Sequence, residues 1–394
     1  MQNFVFNAYT KMIFGKGQIK ELPAVMSSYG KNILLVYGGG SIKKNGIYDA
    51  IQTLLKDSNI VELGGVEPNP RIETVRKGVD LCREHKIDVV LAVGGGSTID
   101  CSKVIAAGAN YDGDAWDLVL YPDRIVKVLP IVTVLTLAAT GSEMNKNAVI
   151  SNMQTNEKLG TASRLMIPSV SILDPEYLYT LPAIQTAAGT ADIMSHIFEA
   201  YFNHEEGTFI QDSFSEGILK ACIKYCRIAL KDPTNYEARA NLMWASSMAL
   251  NGLTGSGKGG AWTCHPIEHE LSAFYDITHG VGLAILTPRW MRYVLSEQTV
   301  DKFVAYGRNV WRIGVEKEES DLTQEEKMEI ATKAIDATEN FFREIGLPMT
   351  LTELGIHEDK FEIMAEDAVK YSGLAHAYVP LDQEGVIKIL KACL

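Results

Sequence analysis

The hydrophobic pattern of the chain changes near its middle, and this change constrains the fold more than any other feature. Up to about residue 180, short apolar runs rich in β-branched residues alternate with segments whose apolar residues recur at helical spacing. The runs at 32–40, 88–96 and 128–136 suit buried parallel strands, and the segments 48–57 and 72–85 suit helices. This alternation predicts an α/β domain in which helices cover both faces of a parallel sheet.

After about residue 182 the strand signals end and longer helical patterns replace them. Six helices are predicted, at 186–203, 210–230, 235–252, 297–313, 324–345 and 359–372. The 394 residues are enough for two domains that each have a hydrophobic core. We therefore predict an α/β domain over 1–183 and an all-helical domain over 184–394.

Charge and composition limit the partners and the compartment. The net charge of −12 disfavours binding to nucleic acids or anionic membranes, which both require a basic surface. Residues 1–17 lack the apolar core of a signal peptide, and the longest apolar stretch, 128–139, is too short to cross a bilayer. The six cysteines form no C-x-x-C pair and are expected to be reduced, packed thiols. A cytoplasmic protein is the expectation.

Two predicted strands end in the same tetrad, GGGS, at 38–41 and 94–97. Glycines let the backbone approach a ligand closely, and the N–H groups at the start of the following helix attract phosphate. One tetrad would equally fit a tight connection, but two tetrads after two strands favour a nucleotide site. The segment GSGKGG at 255–260 resembles a phosphate loop, yet it follows a helical pattern instead of a strand and is not assigned that role.

A second group of residues has the spacing of metal ligands. Asp192 and His196 are four residues apart in a helical pattern, which places them on one face of the helix. His265 and His269 have the same spacing, with a proline between them that suits the first turn of a helix, and His279 follows ten residues later. A carboxylate and imidazoles from separate segments can converge on one divalent metal.

Other interpretations of these residues remain open at this point. Any single histidine would more simply be a hydrogen-bonded core residue, and the segment HPIEH at 265–269 also fits the H-x-x-E-H pattern of a zinc peptidase. The peptidase alternative explains neither GGGS loop, and a non-catalytic nucleotide-binding protein would leave the metal-type residues without a role. Nucleotide loops together with a metal site favour hydride transfer between a nicotinamide and an alcohol or carbonyl, whose oxygen the metal polarises.

The chain resembles the iron-dependent (group III) alcohol dehydrogenases, particularly the butanol dehydrogenase-like branch. The resemblance runs from FGKG at 14–17 to the C-terminal helices, and the motifs that carry it are GGGSIKK, VEPNP, GGGSTIDCSK, ATGSEMN, LDPEY, ADIMSHIFEAY and HPIEHELSAFYDITHG. It implies a Rossmann-like nucleotide-binding domain followed by an all-α metal-binding domain, the dehydroquinate synthase-like fold. It also implies a dimeric, NAD(P)(H)-linked alcohol dehydrogenase or aldehyde reductase that acts on small primary alcohols and aldehydes.

The resemblance further implies the roles of individual residues. The ligands of an Fe²⁺ or Zn²⁺ ion would be Asp192, His196, His265 and His279, and His269 would line the cleft and relay a proton. The residues expected to bind the cofactor are Gly38, Gly39, Gly40, Ser41, Asn69, Gly95, Gly96, Ser97, Asp100, Thr136, Thr140, Asn147, Lys158 and Tyr177.

The first glycine loop predicts which nicotinamide is preferred. By resemblance, NAD-preferring members often carry an aspartate where this chain has Gly38, and that carboxylate repels the 2′-phosphate of NADP. Here Ser41, Lys43 and Lys44 follow the glycines and can accept a phosphate. We therefore expect NADP(H) to be favoured over NAD(H). Bulky residues before His265 depart from the family pattern and leave the shape of the substrate pocket open.

Overall fold

A computed structural model describes residues 1–394, which group into two compact units. The α/β unit contains Asn7–Pro182 and Lys231–Asn251, and the helical unit contains Met1–Phe6, Ala183–Leu230 and Gly252–Leu394. The predicted boundary is a single one, between residues 183 and 184. Two segments depart from it: residues 1–6 belong to the helical unit, and residues 231–251 belong to the α/β unit.

The α/β unit is built on a six-stranded parallel sheet. Its strands lie in the order β1-β8-β5-β4-β2-β3. The strands of the unit are β1 Lys11–Phe14, β2 Asn32–Tyr37, β3 Asn59–Leu63, β4 Val89–Gly94, β5 Ile131–Leu135, β6 Asn147–Asn152, β7 Glu157–Ala162 and β8 Val170–Leu173. The three predicted strands are confirmed as β2, β4 and β5, and β6 and β7 form a separate antiparallel hairpin.

The central strands are buried on both faces, which explains their continuous apolar runs. In β2, Leu34 and Val36 belong to the hydrophobic cluster on one face of the sheet, and Ile33 and Leu35 belong to the cluster on the other. The helices of this unit are α1 Leu22–Met26, α2 Ser41–Lys44, α3 Ile47–Leu54, α4 Ile72–Glu84, α5 Gly96–Gly108, α6 Ala115–Leu120 and α9 Tyr236–Ala249.

The order of the strands reverses between β2 and β4. From β2 the chain continues outward to β3, whereas from β4 it continues through β5 towards the opposite edge. Ligands of open α/β sheets bind at the carboxyl ends of the strands on either side of such a reversal. Tyr37 and Val93 are paired in register, so the two GGGS loops leave the sheet side by side.

The helical unit contains no strand. Its helices are α7 Ala183–Tyr201, α8 Phe209–Lys231, α10 Cys264–Tyr275, α11 His279–Val294, α12 Val300–Tyr306, α13 Gln324–Glu344, α14 Phe361–Ser372 and α15 Gln383–Ala392. The six predicted helices are confirmed, with α9 assigned to the other unit. None of the helices combines the length and the apolar character that crossing a bilayer would need.

Candidate metal centre and nucleotide loops

Helix α7 presents Asp192 and His196 on one buried face. The two residues are one turn apart, and they are 2% and 4% exposed. Burial of a carboxylate is costly unless a positive charge or several hydrogen bonds compensate it. The predicted placement of this pair on one face of a helix is confirmed.

Helices α10 and α11 bring the other histidines to the same place. Helix α10 begins at Cys264, and Pro266 lies in its first turn; His265 is in the same turn and His269 lies one turn later. The helix ends at Tyr275, the next residue, Asp276, has a left-handed φ of 49°, and the chain turns back so that His279 is the first residue of α11. The reversal between the two helices therefore returns His279 to the side of His265.

The distances from Asp192 to the three histidines are close to those between two ligands of one ion. From Oδ1 of Asp192, Nδ1 of His196 lies at 3.5 Å, Nε2 of His265 at 3.6 Å and Nε2 of His279 at 3.8 Å. Good hydrogen bonds are shorter than this. Four ligands held at about 2.1 Å in tetrahedral geometry would lie about 3.4 Å from one another.

Three of these atoms are buried without a hydrogen-bond partner: Oδ1 of Asp192, Nδ1 of His196 and Nε2 of His265. The ligand atoms of Asp192, His265 and His279 all lie within 4.8 Å of one another; His196 is outside this compact grouping, near Asp192 through its Nδ1, and its ring stacks on that of His265 with 4.5 Å between the centres. Unpartnered buried polar atoms are rare and cost free energy. The donor set, one carboxylate with imidazoles, suits Fe²⁺ or Zn²⁺.

The electrostatics of the group call for an added positive charge. Burial acts to raise the pKa of Asp192, but the neighbouring histidines outweigh it, and the pKa lies well below its usual value. Burial lowers the pKa of His196 to about 3, whereas for His265 contacts with Asp192 and Glu199 overcome burial and raise the pKa to about 9. A divalent cation would supply the compensating charge while its imidazole ligands stay neutral.

Two glutamates that the sequence analysis did not assign lie behind the histidines. Oε1 of Glu199 is 3.1 Å from Nδ1 of His265, and Glu199 also accepts the backbone N–H groups of Thr263 and His265. Oε2 of Glu268 is in hydrogen-bond contact with Nδ1 of His279. Each carboxylate thus contacts Nδ1 of its own histidine, the ring nitrogen that faces away from Asp192.

The position of Glu268 disfavours the peptidase alternative. A general base of the H-x-x-E-H type must reach a water molecule beside the metal. Glu268 is instead completely buried and contacts the Nδ1 side of His279, with Ser272 donating to its other oxygen.

His269 lies next to the group without being one of its members. It is half-buried, and its ring centre is 5.6 Å from that of His279 and 6.5 Å from that of His265. The bulky residue before the helix is Trp262, whose ring centre is 4.8 Å from that of His265 and 5.7 Å from that of His196. His269 and Trp262 are therefore the side chains that flank the histidine cluster.

The first GGGS loop offers open backbone at the end of β2. A Cβ atom added to Gly39 or Gly40 would meet nothing within 4 Å, and the φ of 94° at Gly40 favours glycine. Ser41 then begins α2. The backbone at Gly39 and Gly40 is thus open, between Gly38 at the end of the strand and Ser41 at the start of the helix.

The second loop, after β4, is more tightly packed. A Cβ atom on Gly96 would overlap the side chain of Thr140, so these two predicted residues are in close contact. Ser97 donates to the carbonyl oxygen of Pro68, and Asp100 accepts from the backbone N–H of Val149 and from Ser142. Asp100 therefore links the helix after the second loop to Ser142 and to strand β6. The sequence did not indicate this structural role.

The remaining predicted cofactor residues occupy several elements of the same unit. Thr136 follows β5 and donates its backbone N–H to the carbonyl of Gly94, so Thr136 adjoins the second loop. Asn147 begins β6, Lys158 lies buried on β7, and Asn69 is buried before α4. Tyr177 packs against a hydrophobic cluster of the sheet, and burial raises the pKa of its hydroxyl.

Comparison with known proteins agrees with this arrangement. A family model described as iron-containing alcohol dehydrogenase matches residues 9–175, and a model of the C-terminal part of the Fe-containing alcohol dehydrogenase family matches residues 186–394. The chain is 56% identical over 394 residues to NADH-dependent butanol dehydrogenase A of Clostridium acetobutylicum, covering 99% of each protein. It is 41% identical over 359 residues to an NADPH-dependent aldehyde reductase of Escherichia coli, covering 90% of each.

A solved structure extends the agreement to the fold. The crystal structure of NADH-dependent butanol dehydrogenase A from Thermotoga maritima superposes with a TM-score of 0.91 at 40% identity, over 100% of this chain and 99% of that one. The predicted combination of a Rossmann-like domain and an all-helical domain is thereby confirmed. The chain belongs to the iron-containing alcohol dehydrogenase family.

Proposed function

We propose that Asp192, His196, His265 and His279 bind one divalent metal, Fe²⁺ or Zn²⁺, and that the GGGS loops bind the nicotinamide dinucleotide. The observation that carries the metal assignment is the set of distances from Oδ1 of Asp192, 3.5–3.8 Å to three imidazole nitrogens. The protein is an NAD(P)(H)-linked alcohol dehydrogenase and aldehyde reductase. Its substrates are small primary alcohols and the corresponding aldehydes, in keeping with the butanol dehydrogenase and aldehyde reductase named above.

The chain's own residues have distinct tasks in this reaction. When bound, the metal polarises the substrate oxygen and so favours hydride transfer at the adjacent carbon. Asp192 supplies the negative charge of the site, and His269, beside His279 but outside the ligand group, exchanges a proton with the substrate oxygen. The open backbone at Gly39 and Gly40 lets peptide N–H groups approach the cofactor phosphates.

Metal analysis of the purified protein, combined with NADPH and NADH oxidation on a panel of aldehydes, tests this function. We expect one equivalent of metal and turnover of short unbranched aldehydes. His265→Ala and His279→Ala should each lose the metal and the activity, because every removed ligand weakens the site. A variant that kept a full equivalent of metal and the normal rate would show that the ligands are assigned wrongly.

We further propose that the enzyme is a homodimer formed through the edge of the sheet. Strand β1 pairs only with β8, so its other edge is open, and an open edge is a template for pairing with another chain. Beside it, Tyr9 is 55% exposed, and Trp244 is 43% exposed although its ring packs on that of Phe14. Sedimentation of the wild type and of Met12→Pro, which removes a strand N–H group, tests this; an unchanged monomer in both would refute it.

The buried cysteines support a reducing compartment. All six are free, and none is paired in the structure. Free thiols persist in the cytoplasm, whereas secreted proteins usually oxidise theirs. We therefore propose a cytoplasmic location.

A further inference from the structure

We propose that Glu268 and Glu199 are positioning residues that fix the ring orientation of two metal ligands and thereby set the affinity of the site for its ion. The inference rests on the metal site proposed above and assigns to it two residues beyond the ligands. Each glutamate lies behind one histidine, on the side opposite Asp192.

The geometry at His279 is the clearest. An imidazole ring has two nitrogens, and in the neutral form one carries a proton and the other a free electron pair. Nε2 of His279 faces Oδ1 of Asp192 at 3.8 Å, and Nδ1 faces Oε2 of Glu268. A carboxylate at Nδ1 keeps the proton there, which leaves the electron pair on Nε2 for the ion.

The same contact decides between two possible metal positions. Glu268, His269 and His279 also offer ligand atoms within 4.8 Å of one another, which alone could suggest a second site. A neutral His279 that donates its Nδ1 proton to Glu268 has a single electron pair left, on Nε2, and that atom faces Asp192. His279 cannot serve both arrangements as a neutral ring, so this grouping supports the ion at Asp192 instead of binding another.

Glu268 is itself held rigidly. Its side chain is completely buried, and Ser272, one turn later on α10, donates to Oε1. A Cβ atom on Gly282 of α11 would overlap the Cγ of Glu268, so the lack of a side chain at Gly282 makes room for the carboxylate between the two helices. The contact with His279 thus joins the first turn of α11 to α10.

Glu199 repeats the arrangement at His265. Nδ1 of His265 lies 3.1 Å from Oε1 of Glu199, and Nε2 lies 3.6 Å from Oδ1 of Asp192. Glu199 also accepts two backbone N–H groups at the start of α10. Its negative charge is therefore shared among three donors, and we expect its effect on the metal to be weaker than that of Glu268.

The test is the zinc dissociation constant of the intact protein, measured by competition with a chromophoric chelator. Glu268→Ala should weaken binding roughly 10–100-fold, the range typical for loss of such a partner. Glu268→Gln retains an oxygen that accepts from Nδ1 and should recover part of the loss, and Glu199→Gln should lose less than Glu268→Ala. With Co²⁺ in place of zinc, the visible spectrum of Glu268→Ala should change, since the spectrum reports ligand geometry.

Glu216→Gln is the matched control. Glu216 is a buried carboxylate of the same unit that accepts from Tyr201 at 2.9 Å and from Asn309 at 2.8 Å, away from the histidines. The zinc affinity of the Glu216→Gln variant should match that of the wild type. The inference is overturned if Glu268→Ala binds zinc as tightly as the wild type, or if Glu216→Gln loses as much affinity. A wild type that binds no stoichiometric metal would instead overturn the proposed function itself.

Discussion

At the scale of single residues, the surroundings of each histidine determine what its two nitrogens can do. His265 and His279 have a carboxylate on each side, Asp192 towards one nitrogen and a glutamate towards the other. His269 lies outside the group around Asp192, with its ring 5.6 Å from that of His279. Its position is therefore compatible with the proposed proton exchange by a residue that is not itself a metal ligand.

The first prediction concerns this residue. His269→Ala should keep the metal content of the wild type but lose tenfold or more in kcat, since a positioned general acid or base contributes at least roughly that factor. Metal analysis and steady-state kinetics from pH 6 to 9 measure both. A rate and a pH profile identical to those of the wild type would leave His269 with a structural role only.

The second prediction concerns Gly38 and the choice of cofactor. A Cβ atom at this position would lie 3.5 Å from the carbonyl of Val66 and 3.8 Å from Thr98, which is ordinary contact, so the Cβ of a substituted residue is accommodated there. Gly38→Asp should lower kcat/KM for NADPH at least tenfold more than for NADH, because the carboxylate repels the 2′-phosphate. Gly38→Ala, which adds no charge, is the control.

The expected preference of the wild type for NADP(H) depends on the charge that remains near the loop. Nζ of Lys43 lies 3.8 Å from Glu62 and 4.6 Å from the ring centre of Tyr48. Its positive charge is therefore partly compensated by groups of the protein itself. The relatives are named for both cofactors. A wild type with a strong preference for NADH would refute this part of the prediction.

Residue spacing predicted the histidine cluster but not the glutamates behind it. Asp192/His196 and His265/His269 repeat at four residues, a signal that local sequence carries. The contacts of Glu199 and Glu268 depend on how α10 and α11 pack, which spacing does not show. In the sequence, Glu268 fits the H-x-x-E-H pattern of a zinc peptidase, where it would be the general base. Only its burial and its contact with Nδ1 of His279 argue against that role.

At the scale of elements, the periodicity of apolar residues predicted where the helices lie, but it did not predict which of the two units each helix belongs to. Helix α9 was correctly predicted as a helix, yet it belongs to the α/β unit. The reason lies in tertiary contacts: Trp244 packs edge-on against Phe14, and Ser247 donates to Glu143. Such partners are more than 100 residues distant in the chain, beyond the reach of a pattern along the sequence.

The glycine-rich segment 255–260 also acquires a role from its neighbours. Nζ of Lys258 lies 2.7 Å from Oδ1 of Asp212 on α8, and Nζ of Lys302 on α12 lies 2.7 Å from Oδ2. The lysine that made the segment resemble a phosphate loop thus links it to two helices. The rejection of a phosphate-binding role agrees with this use of the lysine.

The third prediction follows from this link. Burial acts to raise the pKa of Asp212, but hydrogen bonds from Lys258 and Lys302 outweigh it and lower the pKa below its usual value. A lowered carboxylate pKa stabilises the fold above the unfolded-state pKa of about 4, and this contribution is lost as the pH falls through the folded-state value. Asp212→Asn should therefore lower the free energy of unfolding by about 2–3 kcal/mol at pH 7 and by less near pH 3.

Chemical denaturation of the wild type and of Asp212→Asn at pH 7 and pH 3 measures the difference in their free energies of unfolding. Asp301→Asn is a suitable control, because Asp301 pairs with Lys327 at 2.7 Å but its side chain is 72% exposed. Exposed pairs of this kind contribute about 1 kcal/mol or less. Equal losses in the two variants would mean that the Asp212 link contributes no more than a surface pair.

At the scale of the whole molecule, the two proposed ligand sites lie on separate parts of the sequence. The candidate metal ligands all belong to the helical unit, on α7, α10 and α11, and the GGGS loops belong to the α/β unit. The chain therefore has one structural core for each ligand. A ligand that binds only the folded state stabilises it, by about 2.7 kcal/mol at a concentration 100 times its dissociation constant.

The fourth prediction is that the two ligands protect different segments against amide hydrogen exchange. Adding Zn²⁺ to chelator-treated protein should slow exchange most in 186–201 and 264–294, because an ion held by side chains of α7, α10 and α11 opposes the opening of each of these helices. Adding the nicotinamide dinucleotide should slow exchange most in 32–44 and 89–108, where β2 and β4 lead into the loops. His265→Ala should lose the response to Zn²⁺ and retain the response to the dinucleotide. Protection by Zn²⁺ that was as strong in 32–44 as in 264–294 would contradict this division, since it would mean that the ion binds or stabilises the α/β unit directly.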